Sequence, residues 1–112
     1  MKKIGLNISE RLFALQILNA FKGDLDKLAV VLDDIKQFSI TAEDWSNADR
    51  KIEKSDDGTE QWTWSDENGG EKEIELQEGT AAYLVEQIEK KNKSGELTLR
   101  DRAVITLKKK LL

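Results

Sequence analysis

The chain has 112 residues, 38% of them apolar, with 18 Lys and Arg against 22 Asp and Glu for a net charge of −4, and it contains no histidine, cysteine or proline. That length makes one domain, and it buries enough surface on folding to need no metal or disulfide staple. The missing histidine and cysteine exclude Ser-His-Asp and Cys-His nucleophile pairs, imidazole or thiolate metal sites and iron–sulfur clusters.

Met1-Lys2-Lys3 opens like a signal peptide, but Asn7, Ser9, Glu10 and Arg11 interrupt any apolar stretch behind it. The longest apolar run, Leu28 to Leu32, is five residues, far from the roughly 20 of a membrane helix. The expected location is therefore cytoplasmic, with no membrane partner. Ser9 has the chemistry of an N-cap and opens a helix to Phe21 with Leu12, Leu15, Ile17, Leu18 and Phe21 at helical spacings. Gly23 ends it, and Asp24 caps a second helix whose Leu25, Leu28, Leu32 and Ile35 form an apolar face, so residues 1–49 read as a helical hairpin followed by a short turn of helix. Thr41 with Asp44 three residues on is the capping-box pattern for that turn.

From Arg50 the apolar period becomes two. Lys51 to Lys54, Glu60 to Trp64 and Lys72 to Leu76 alternate polar with apolar and are separated by Asp56-Asp57-Gly58 and by Asp66 to Gly70. This predicts a three-stranded antiparallel meander over 50–77. Keeping one face apolar pairs Trp64 with Ile74, Trp62 with Leu76 and Ile52 with Trp64, through a loop Asn68-Gly69-Gly70. Residues 78–112 return to the helical period: Ala81, Leu84, Val85 and Ile88 on a helix from about Thr80 to Asn92 ended by Ser94-Gly95, then a capping-box start at Thr98 and Asp101. Ala103, Val104, Leu107 and Leu111 mark the last helix, with Lys108, Lys109 and Lys110 facing the negative end of its dipole. The predicted fold is α+β in a single domain.

Charge is distributed unevenly, with zero net over 1–52, −8 over 53–78 and +4 over 79–112. Trp62 and Trp64 share one sheet face, where core packing is the plain reading, because the acidic surround repels the phosphates that a nucleic-acid stacking platform serves. Asp56-Asp57-Gly58-Thr59-Glu60 lacks the alternate-position ligands of a calcium loop and reads as a hairpin turn. Asp33-Asp34 and Glu43-Asp44 are neighbours that point to different sides of a helix and read as solvated or capping residues. Glu71, Glu73 and Glu75 line one strand face. They either keep a sheet edge from pairing or dock a basic partner.

The stretches Leu6 to Leu12, Leu15 to Asn19, Gln61-Trp62-Thr63-Trp64 into Lys72 to Leu76, and Lys93 to Thr98 resemble small proteins encoded by phages and prophages of Gram-positive bacteria. That resemblance implies a phage origin and this order of elements, and it carries over no functional residue. The sequence thus points to a non-enzymatic phage or prophage accessory protein, without metal or cofactor, that binds another protein and self-associates as a homodimer. The expected contact residues are Glu71, Glu73, Glu75, Asp56, Asp57, Asp66 and Glu67. The alternative is an acidic mimic of DNA that inhibits a host nucleic-acid enzyme or defence system, its carboxylates spaced like phosphates along a strand. Neither reading has the chain touch nucleic acid directly.

Overall fold

The computed structural model describes residues 2–97 and 101–112. In chain order the elements are β1 (Lys2–Leu6), α1 (Ile8–Leu18), α2 (Leu25–Gln37), α3 (Ala42–Asn47), β2 (Lys51–Lys54), β3 (Glu60–Thr63), α4 (Asp66–Gly69), β4 (Lys72–Leu76), α5 (Glu78–Ser94) and α6 (Ala103–Leu111). The α+β class holds. The meander does not, because the four strands form two separate antiparallel pairs, β1 with β4 and β2 with β3.

The divergence begins at Ser65. Its hydroxyl accepts the Asn68 N–H at 3.2 Å and caps α4, so the expected loop Asn68-Gly69-Gly70 is instead a helical turn that carries the chain away from β3. Strand β4 then pairs with β1, Ile4 opposite Ile74 and Gly5 opposite Glu73. The alternation expected of β4 is real, but its apolar face meets Ile4 and Leu6 rather than the tryptophans. Leu6, Ile74 and Leu76 are fully buried against Phe13, Ile17 and Leu18 of α1, Leu84 and Ile88 of α5, and Leu107 of α6.

Helix α1 begins two residues earlier than its serine suggests. Asn7 is the N-cap: its side chain accepts the Glu10 N–H at 2.9 Å, and Glu10 Oε1 accepts the Asn7 N–H at 3.0 Å, a closed capping box. Ser9 lies inside the first turn. Glu10 and Arg11 are buried completely, at 0% and 1% exposure. Lys110 of α6 reaches Glu10 Oε1 at 2.7 Å, and the Arg11 guanidinium donates to the Ser39 carbonyl at 3.2 Å and faces Asp44 at 3.4 Å. Asp44 closes the expected capping box of α3 with Thr41. Its carboxyl is held below the usual range first by the Thr41 N–H and then by the charge of Arg11.

Asp24 caps α2 as expected, through the Lys27 N–H at 2.9 Å, yet the helix is rotated from its expected face. Leu25, Leu28 and Leu32 are exposed, whereas Val31 and Asp34 are buried. The cause is the open edge of β4. With β3 elsewhere, the backbone of Glu75 needs partners, and the Gln37 side-chain amide supplies both, donating to the Glu75 carbonyl at 2.6 Å and accepting its N–H at 2.8 Å. Asp34, expected to be solvated, turns inward and accepts the Gln77 N–H at 3.3 Å beside the start of α5. Helix α2 thus turns Gln37 and Asp34 to the strand edge and leaves Leu25, Leu28 and Leu32 in water. Helix α5 ends as expected at Gly95, in the left-handed region at φ 70°. The proposed cap at Thr98 lies outside the described residues.

Candidate functional site

The seven acidic residues singled out in the sequence fall into three separate places. Glu73 and Glu75 alternate along β4 with Glu71 just before it, but Glu75 pairs with Lys3 at 3.4 Å and Glu71 with Lys110 at 3.4 Å, so the chain supplies counter-charges to two of the three. Asp56 and Asp57 lie in the turn between β2 and β3. There Asp57 accepts the Ser55 hydroxyl and the Thr59 N–H, and these hydrogen bonds lower its pKa to about 2. Asp66 and Glu67 form the first turn of α4.

Asp66 is a structural clasp. Oδ2 accepts the Ser9 hydroxyl at 2.6 Å, while Oδ1 accepts the Ser9 N–H and the Trp64 indole N–H, each at 3.0 Å. One carboxylate thus ties the first turn of α1 to the strand–helix junction after β3. The basic end is also engaged within the chain, since Lys108 pairs with Glu89 and lowers its pKa.

Sequence reasoning missed the feature that stands furthest out. Every residue of β2 and β3 is exposed. In the pair, Ile52 lies opposite Trp62 rather than Trp64, and Lys51 opposite Thr63. One face of this ribbon carries Ile52 and Lys54 opposite Trp62 and Glu60, and the other carries Lys51 and Glu53 opposite Thr63 and Gln61. Trp45 of α3 stands edge-on to both tryptophans, with ring centroids 5.6 Å from Trp62 and 5.3 Å from Trp64. Arg50 lies over the Trp62 ring at 4.8 Å and over Trp45 at 5.5 Å. The three tryptophans are therefore neither core nor scattered but one surface cluster, with Trp62 43% and Ile52 46% exposed. Beside it an open groove of about 760 Å³ runs between Trp62 and Trp64 and the start of α6 at Arg102 and Thr106.

A two-stranded ribbon is marginal in water by itself. This one is braced at its base, where the Ala48 carbonyl accepts the Ser65 N–H at 2.7 Å and the Trp45 carbonyl accepts the Arg50 N–H at 3.1 Å, and by the packing of Trp45 on Trp62. An aromatic–aliphatic face flanked by a stacked arginine has the composition of an interface centre. Among the described residues no group of three or more acidic side chains is placed to hold a metal ion, and no helix is long and apolar enough to cross a membrane. Compared with protein-family models, curated proteins and solved structures, the chain matches none.

Proposed function

We propose that this is a non-enzymatic protein-binding module whose contact surface is the apolar face of the β2–β3 ribbon, centred on Trp62 and Ile52 and flanked by Arg50. The observation that carries the reading is a strand pair with all of its residues exposed and with a tryptophan and an isoleucine side by side on one face. Contiguous aromatic and aliphatic surface kept in water costs solubility and is a feature of binding sites. The resemblance to phage-encoded proteins supports an accessory role in a phage, acting in the cytoplasm of its host. A DNA mimic is the weaker reading, because Lys3 and Lys110 neutralise carboxylates on the row that would imitate phosphates.

The test uses the full chain as bait in a lysate of a Gram-positive host. Trp62→Ala is expected to lose the captured protein, while the double reversal Glu73→Lys with Glu75→Lys retains it. Capture that survives the first change and fails with the second would move the contact to the acidic row and overturn the proposal.

A further inference from the structure

We infer that β2 is a self-pairing edge: two copies join β2 to β2 about a twofold axis at Ile52, making a four-stranded antiparallel sheet β3–β2–β2–β3. This goes beyond the proposed binding function, because it rests on the backbone edge and the charges of β2 and not on the aromatic face.

Hydrogen-bond parity comes first. The Ser55 N–H bonds the Thr59 carbonyl at 2.9 Å, and the register sets Glu53 opposite Gln61 and Lys51 opposite Thr63. In an antiparallel pair, bonded and non-bonded positions alternate, so the backbone groups of Lys51, Glu53 and Ser55 point to β3 and those of Ile52 and Lys54 point outward. Among the described residues no second strand meets that outer edge and no side chain covers Ile52 and Lys54 as Gln37 covers β4; at the start of the edge the Arg50 N–H is taken by the Trp45 carbonyl at 3.1 Å. Open, fully exposed edges of this kind are templates for pairing.

Charge then selects the register. Parity allows the twofold to sit at any residue of β2, and an axis at Lys54 sets Lys54 against its own copy. An axis at Lys51 sets Lys51 against its own copy, and an axis at Glu53 sets Glu53 against its own copy; both place like charges opposite each other. The axis at Ile52 sets Lys51 of each copy opposite Glu53 of the other, giving two ion pairs on one face, and brings Ile52 against Ile52 on the other. The Ile52 N–H of each copy then donates to the Ile52 carbonyl of its partner. Lys54 falls opposite Arg50, two cations, but Lys54 is drawn to Glu60 at 3.9 Å and Arg50 is folded back over Trp45 and Trp62. The result is one continuous apolar face with two Ile52 and two Trp62 side chains, a larger surface than either copy offers alone. The edge of β3 has no such complement, since pairing at Trp62 opposes Gln61 to Thr63.

Sedimentation velocity on the pure 112-residue chain over a range of concentrations tests this. The parent is expected to show a concentration-dependent dimer. Lys51→Glu and Glu53→Lys, each alone, turn both ion pairs into like-charge contacts and are expected to weaken dimerisation by about tenfold. Both positions face neutral Thr63 and Gln61 within the ribbon, so the ribbon itself keeps its pairs. An equimolar mixture of the two single variants, and the double variant Lys51→Glu with Glu53→Lys, both recreate opposite charges across the axis and are expected to restore the dimer. A parent that stays monomeric at its highest attainable concentration overturns the inference. So does a dimer indifferent to the single reversals, or one lost only with Leu28→Arg on the exposed side of α2. Loss of lysate capture by Trp62→Ala with self-association unchanged leaves the two surfaces distinct.

Discussion

Replacing Lys110 with Met is expected to destabilise the fold by about 2–3 kcal/mol, lowering the melting temperature by about 10 °C. Glu10 has no exposure at all, and its Oε1 is held by the Asn7 N–H and by Lys110, while Oε2 has no hydrogen-bond partner among the described residues. A buried carboxylate is tolerable while a cation answers it and costly once that cation is removed. Lys110 keeps about a quarter of its side chain in water, at 28% exposure, so water reaching the vacated site offsets part of the loss. Converting Glu10 to Gln in the Lys110→Met background is expected to recover more than half of the deficit, since glutamine keeps the capping box without the charge. Denaturant unfolding of the parent, the single and the double variant decides it. A Lys110→Met protein within about 0.5 kcal/mol of the parent, the range of an ordinary surface change, would show that Glu10 does not depend on this partner.

Ile74→Ala and Ile52→Ala form the second expected contrast. Both isoleucines sit mid-strand in similar alternating sequence, but Ile74 is fully buried and Ile52 is 46% exposed. Truncating Ile74 removes core contacts with Ile4 and the helices and leaves a cavity, at a cost of about 3 kcal/mol. Truncating Ile52 is expected to cost about 0.5 kcal/mol, in the range of surface substitutions. Urea midpoints measure both at once. Equal losses would place the ribbon in the cooperative core and contradict the fold described.

Local signals in the sequence were reliable where local physics decides. Asp24 and Thr41 with Asp44 cap their helices, Gly95 ends α5, and the two-residue alternation marks β2, β3 and β4. What was not legible is which strands pair. A meander joins neighbours in sequence at low loop entropy, and nothing local announces that residues 72–76 travel back to residues 2–6. Two clues were present. Ser65 followed by Asp66 and Glu67 is an N-cap with acids in the first turn, and Lys3-Ile4-Gly5-Leu6 already alternates, although its opening lysines suggest a signal peptide. The rotation of α2 was hidden for a related reason: the apolar stripe Leu25, Leu28, Leu32 is the stronger pattern, and only the open edge of β4 explains why Asp34 and Gln37 face inward. The exposed tryptophan cluster was hidden for the same cause. Once β3 loses β4 as a neighbour, the tryptophans leave the core and become surface, while Glu71, Glu75, Asp57 and Asp66 acquire lysine and serine partners.

The proposed function divides the molecule: β1–β4 and the helices hold the fold, and the β2–β3 ribbon is the part proposed to meet another protein surface. Hydrogen–deuterium exchange of the backbone amides tests it most directly. Residues whose opening is local exchange well before those that open only with the whole fold. In dilute protein the amides of 51–63 are expected to exchange much faster than those of 2–6 and 72–76, and to slow at high concentration or in a captured complex while the β1–β4 amides stay unchanged. A ribbon protected in dilute protein as strongly as β4, or one whose exchange ignores both concentration and complex formation, would rule out this division.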